Sequence, residues 1–320
     1  MRILFITQFF HPEPFFRGLP FAKALADRGH DVEVLTGFPN YPGGKLYDGY
    51  AVKPVQRETV DGIPIVRVPL YPSHDRSSLR RSANYLSFLA SASVLGPLLA
   101  KPADVAYVYH PPITTGFAAL SMKLARGIPY VYDVQDLWPE ALTTTGMVRP
   151  NLIRAIGAAC QLVYRQAARI TVLSPGFKRS LVKRGIDPSK VEVIYNWCDE
   201  NALAGPSPTS ELAEAEGLAG KFNVVFAGNM GSAQALDSVL DAAAILKDEL
   251  QDVQFVLMGA GLERDALKAT AEQRGLSNVR FLDYRPQAEA GQILRLADVL
   301  LVHLRDAPLF DITIPSKTQA

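Results

Sequence analysis

Apolar and polar positions divide this chain into two stretches that share one rhythm. Short β-branched or aliphatic runs occur at 3–7 (ILFIT), 32–36 (VEVLT), 105–110 (VAYVYH), 130–134 (YVYDV), 170–174 (ITVLS) and 191–196 (VEVIYN). Most are separated by segments long enough for helices. In the first of these, Leu19, Ala22, Leu25 and Ala26 fall on one helical face. The runs are too apolar to keep one face wet, so the pattern predicts a parallel sheet covered on both sides.

Between Ala202 and Gly220 the composition shifts to Ala, Glu, Ser, Pro and Gly, and the rhythm then restarts. Strands are predicted at 223–228, 253–259, 279–283 and 299–303, with helices at 234–250, 262–274 and 287–296. The reading is an α/β protein of two Rossmann-like domains facing across a cleft: 1–200, a linker at 201–220, and 221–320. Such sheets bind ligands beyond the carboxyl ends of their strands. The second domain stops at Thr318-Gln319-Ala320, where another helix is due. It therefore reads as truncated, with one sheet face uncovered: either the chain is a fragment or a partner supplies the rest, and the 320 residues are expected to be inactive as they stand.

A composition of 48% hydrophobic and 20% charged residues excludes disordered and fibrous classes. Two cysteines, Cys160 and Cys198, give no disulfide framework and fit a reducing, cytoplasmic setting. The opening MRILFITQFF has a single Arg2 and is broken at His11-Pro12, so it reads as a buried strand and not a leader. The net charge of +1 hides an asymmetry. Residues 1–200 carry 23 Lys/Arg against 16 Asp/Glu, and residues 201–320 carry 10 against 16. Either the first part meets something anionic, a membrane surface or a phosphorylated substrate, or the charges are scattered over solvated faces.

Ser82 to Ala100 is nineteen residues without a charge, flanked by Arg76, Arg80, Arg81 and Lys101. Its four serines, its asparagine and Pro97 argue against a membrane span. Two readings stay open. Residues 76–101 form a helix lying in a membrane interface through Leu86, Phe88, Leu89, Leu95 and Leu98, or a buried core helix.

Candidate chemistry lies at predicted strand ends. Gly18, near the start of the first helix, would let a phosphate approach backbone N–H groups. His110 closes one strand, and Gln135, Asp136 and Trp138 follow another. Two carboxylates beside a strand end favour a site at Asp136, while Trp138 is either a sugar-stacking platform or core. In the second domain, Gly228, Asn229 and the residues up to Gln234 form a glycine-containing turn before a helix, and Gly259 opens another. The latter is not a dinucleotide fingerprint, because Arg264 stands at the third glycine position. Asp311, Ser316 and Lys317 share a loop before a further helix start, where a lysine favours a bound anion. With scattered histidines, no Cys-x-x-Cys and no Asp-x-Asp, no metal site is expected.

Taken together, the opening MRILFITQFFHPEP…RG…LADRGHDVEVLTGFPNYPGGKLYDGY, VYDVQDLWPEA, VIYN with Asp199, FAGNMG and PLFDITIPSK resemble the large retaining glycosyltransferase family with the GT-B fold. More narrowly, they resemble its bacterial branch that builds O-antigen and colanic-acid-type polysaccharides on a lipid carrier, N-acetylfucosamine transferases included. The resemblance implies a hexosyl- or N-acetylhexosaminyl-type transferase without a cofactor. Its co-substrate is a nucleotide diphosphate sugar, UDP-linked before GDP-linked, held by the second domain, with a lipid-linked saccharide acceptor held by the first.

By that resemblance Gly18 lies near the donor diphosphate, and His110 and Gln135-Asp136 face the reacting sugar. Gly228 to Gln234 is the phosphate turn, Tyr284 lies near the base, and Asp311 is the first of two acidic residues eight apart. Relatives often place Arg and Lys where this chain has Asn229 and Gln234, which raises the weight on Lys317. The second acidic position falls around Ala320 and is not acidic. A nucleotide-sugar epimerase of the same fold, or a non-catalytic membrane-associated scaffold, are the alternatives.

Overall fold

The computed structural model describes residues 1–15, 17–73, 77–109, 112–143, 150–197 and 207–318. Two compact units divide the chain, Met1–Tyr195 and Asn196–Ala320.

In chain order the first unit comprises β1 (Arg2–Ile6), α1 (Leu19–Ala26), β2 (Asp31–Thr36), β3 (Gln56–Val60), β4 (Ile63–Arg67), α2 (Ser78–Leu99), β5 (Val105–Tyr109) and α3 (Thr114–Arg126). It continues with β6 (Tyr130–Val134), a short α4 (Glu140–Thr143), α5 (Pro150–Gln166), β7 (Arg169–Val172), α6 (Pro175–Lys183) and β8 (Val191–Val193). The sheet order is β3-β4-β2-β1-β5-β6-β7-β8. In the β1–β2 register, Phe5 pairs with Val34 and Ile6 with Leu35. Phe5 and Val34 face α1 in one core cluster. On the other face, Gly96 of α2 lies against Leu35 and Met122, so close that a side chain there would strike the Leu35 methyl at 2.9 Å. Both faces are thus dry, which is why these runs lack polar alternation.

The prediction of a purely parallel sheet needs one correction. Strands β3 and β4 form an antiparallel hairpin at the edge, with Gln56 opposite Arg67 and Val60 opposite Ile63. Its turn is Asp61-Gly62, with φ of 49° and 81°. That is the backbone a two-residue hairpin turn requires, and Asp-Gly is its usual sequence.

In the second unit, α7 (Ser210–Ala215) precedes β9 (Phe222–Ala227), α8 (Asp237–Glu249), β10 (Val253–Met258), α9 (Arg264–Gln273), β11 (Val279–Leu282), α10 (Gln287–Leu294) and β12 (Val299–Leu300). The order is β11-β10-β9-β12, all parallel. Residues 210–218, inside the span read as a linker, belong to this unit: Leu218 is buried with Val225, Val256 and Ile293. The expected bare sheet face is not found. Phe226, Phe255 and Leu257 pack under α8 and α9, and the opposite face packs under α7 and α10. Exposed apolar residues remain at Phe222, where β9 starts, and on the edge strand, where Leu300 stands open. Among the described residues, no helix is long and apolar enough to cross a membrane.

Candidate functional site

Candidate residues gather at strand carboxyl ends in each unit. In the first, the long loop after β1 is firmly packed. Phe9 and Phe15 stack at 5.0 Å between ring centroids, and Tyr41 lies against Phe15. Glu13 is buried and accepts backbone N–H groups from Phe10, Asn40 and Tyr41, each at 2.7 Å. Burial raises its carboxyl to about 7, against the pull of those three N–H groups and Arg67. At Gly18 the chain folds back so tightly that a Cβ would meet the Phe15 carbonyl oxygen at 2.8 Å. Gly18 directly precedes α1, as expected.

Beneath this loop lies an ion pair that sequence reasoning did not single out. Arg17 Nη1 lies 2.7 Å from Asp133 Oδ2, and both side chains are almost completely buried. Arg17 also donates to the Tyr107 hydroxyl, which donates to Asp133. Thr171 and the Gln135 amide donate to the other Asp133 oxygen, at 2.8 and 3.0 Å. Burial works against the Arg17 cation, yet Asp133 and Tyr107 outweigh it and its pKa is raised. One carboxylate therefore ties the β1 loop to β5, β6, β7 and Gln135. The available signal was a lone charge inside the apolar run YVYDV.

Gln135 is thereby oriented by Asp133. Asp136 is exposed, yet surrounding protein withholds enough water to raise its carboxyl from the ordinary value. The Tyr85 and Tyr109 phenols are raised first by burial, and the Asp136 charge adds to the rise. Trp138 is partly buried, and its carbonyl accepts from Arg184. His110 lies outside the described residues.

In the second unit two glycine turns are stitched backbone to backbone. Gly228 N–H donates to the Met258 carbonyl, Met230 N–H to Ala260, and Glu263 N–H to Met230. Gly228, Gly259 and Gly261 have φ of 138°, 136° and 152°, a region that side chains rarely enter. A Cβ on Gly259 would fall on the Gly228 carbonyl oxygen, and one on Gly261 on the backbone of Met230.

Lys317 closes over the first turn. Its ammonium lies 3.7 Å from the Phe226 ring centroid, and its side chain lies against Gly228. Loss of hydration lowers its pKa to about 8.

One expectation about a helix start is corrected. The first turn runs into a three-residue 3₁₀ segment, Ser232–Gln234, too short for a helix dipole, and α8 begins only at Asp237. The last described residues, Ser316–Thr318, form a 3₁₀ turn, and the case for Lys317 rests on its place beside Gly228. Gln234 turns inward, its Oε1 accepting the Gly231 N–H at 3.1 Å, and its carbonyl lies 2.7 Å from His303 Nδ1. Asn229, Tyr284, Asp311 and Ser316 are exposed.

Comparison with known proteins places this geometry. A model described as a glycosyl transferase 4-like domain matches residues 19–197, more than half of the chain, and one for glycosyl transferases group 1 matches residues 209–309. A protein of Escherichia coli K12 named as the colanic acid biosynthesis glycosyl transferase WcaI is 26% identical over 313 residues, covering 92% of this chain and 73% of its own. WbjE of Pseudomonas aeruginosa, named as a glycosyltransferase, is 27% identical over 199 residues, 61% of this chain and 49% of its own. The crystal structure of Anabaena HepE with UDP and glucose superposes with a TM-score of 0.65 at 22% identity, covering 96% of this chain and 75% of HepE. With a 4-like domain in the first unit, a group 1 domain in the second and the two-Rossmann fold throughout, this chain belongs to the glycosyltransferase family.

Proposed function

We propose that this chain transfers a sugar from a nucleotide diphosphate donor, UDP-linked in preference to GDP-linked, to a lipid-carrier-linked saccharide in cell-surface polysaccharide synthesis. The name of WcaI supports the pathway, and the UDP bound by HepE supports the donor. The observation that carries the reading is the stitched pair of glycine turns with Lys317 against Gly228. The half-desolvated Lys317 ammonium, held over the half-buried glycine turn, suits a diphosphate that gains charge as its bond to the sugar breaks.

In the reaction, the bond from the anomeric carbon to the diphosphate oxygen breaks and one to the acceptor hydroxyl oxygen forms. The hydroxyl proton passes to Asp136, whose raised carboxyl suits a base. Retention of configuration follows the motif resemblance, and metal independence the lack of any Asp-x-Asp ligand pair. The place of action is the cytoplasmic membrane's inner face, where lipid-linked acceptors lie.

Lys317→Ala is expected to weaken UDP-sugar affinity about tenfold or more, the worth of a charge-assisted hydrogen bond. Wild-type affinity should hold below pH 8 and fall as pH rises through about 8, where the ammonium loses its proton. Calorimetric titration at pH 6.5 and 9.5 checks both, and unaltered affinity in the variant would remove Lys317 from the diphosphate site.

A further inference from the structure

Three helices of the first unit form one layer: α2 packs on α3, and α3 on α5. The three carry Arg80, Arg81, Lys123, Arg126, Arg154 and Arg165, and not a single Asp or Glu. An ordinary solvated helix face mixes both signs. The short α4 bears an acid, Glu140, and it is paired with Arg184.

Along α2 the sheet-facing side is Asn84, Phe88 and Ala92, each with no exposure. The outer side is a ridge of large apolar residues: Leu79 is 81% exposed, Leu86 57%, Val94 64% and Leu98 76%. Leu124 of α3 adds a fifth at 78%. The 3.6-residue period places the four α2 residues along one side of the helix. Burial of the opposite side decides the two sequence readings only in part, since α2 is a core helix with a second, unburied apolar side.

We propose that this face docks on an anionic bilayer, with the leucine ridge in the interface and the cations against lipid headgroups. Charge complementarity selects that partner. An apolar protein partner would not call for an acid-free layer, whereas a membrane surface attracts each Arg or Lys within a Debye length. The ridge alone would give weak, reversible binding, and the cations supply the second signal that stable peripheral attachment needs.

The layer also reaches the candidate site. Asn84 near the start of α2 accepts from Gln8 of the β1 loop and donates to Asn40. A bilayer under this face would present a lipid-linked saccharide beside the β1 loop, whose Arg17 pairs with the Asp133 that also holds Gln135. That last step rests on the transferase reading, whereas the docking surface does not.

Co-sedimentation of the 320-residue chain with vesicles, without donor or acceptor, tests the surface independently of turnover. Phosphatidylcholine vesicles containing roughly a third phosphatidylglycerol should bind about tenfold more tightly than phosphatidylcholine alone, and high salt should abolish the difference. The triple variant Leu86→Ser, Val94→Ser, Leu98→Ser should lose about tenfold in binding with its melting temperature unchanged, these side chains being exposed. Arg154→Gln with Arg165→Gln should weaken binding to anionic vesicles only. Failure to bind anionic vesicles, or binding by the triple variant equal to wild type, would overturn the proposal. So would a dimer that the triple variant splits into monomers, which would make the face an interface between copies.

Discussion

Replacing Asp133 with alanine is expected to destabilise the first unit by about 3–5 kcal/mol, the cost of leaving a buried charge without its partner. Arg17 is 2% exposed and would keep its charge where water cannot reach it. The effect should far exceed that of Thr171→Val, which removes one hydrogen bond to the same carboxylate and should cost about 1 kcal/mol. Urea denaturation of the two variants measures the difference. Equal midpoints for both would show that Asp133 acts only as a hydrogen-bond acceptor. The consequence for function is positional, because Asp133 also holds the amide of Gln135, which directly precedes Asp136 beyond the strand end.

The second large effect is expected at Gly259. An alanine there would need a φ of 136° and would drive its Cβ into the Gly228 carbonyl, which belongs to backbone and cannot swing away. The strained conformation alone costs about 1–3 kcal/mol, and the clash must also part the two turns. Gly259→Ala should therefore lose UDP-sugar affinity by at least about tenfold, as well as stability. Gly275→Ala is the control. It also has positive φ, of 62°, but a Cβ there meets only the Lys247 ammonium at 3.9 Å. It should cost about 1 kcal/mol and leave donor affinity unchanged. Loss of affinity in both variants alike would trace the effect to general destabilisation and not to the turns.

Much of the fold was legible because a parallel sheet buried on both faces leaves an unmistakable record of apolar runs. What escaped was the β3–β4 hairpin. Gln56-Arg57-Glu58-Thr59-Val60 is a half-exposed edge strand with four polar or charged residues before its valine, so it does not look like the other strands. Its signal was the Asp61-Gly62 turn. Residues 210–218 were hidden for a related reason, since α7 contributes few apolar residues and Leu218 alone is fully buried.

The site divides in the same way. Gly228 and Gly259 were legible as turn formers after strands, because only glycine tolerates their backbone. Their mutual packing was not, since it depends on how β9 and β10 align. The Arg17–Asp133 pair joins residues 116 positions apart, and nothing local marks two such charges as partners. Gln234 shows the limit of reading a substitution by motif. It stands where relatives often have a lysine, and in this chain its side chain closes the turn through Gly231.

The most direct test is a thermal-shift titration of the 320-residue chain with UDP- and GDP-linked sugars, because a ligand that binds only the folded state raises its melting temperature. A UDP-sugar at a hundredfold excess over its Kd should stabilise the protein by about 2.7 kcal/mol. That gain should largely disappear in Gly259→Ala and shrink in Lys317→Ala. An unchanged melting temperature across the whole panel, from a chain that melts cooperatively, would contradict a donor site in the second unit.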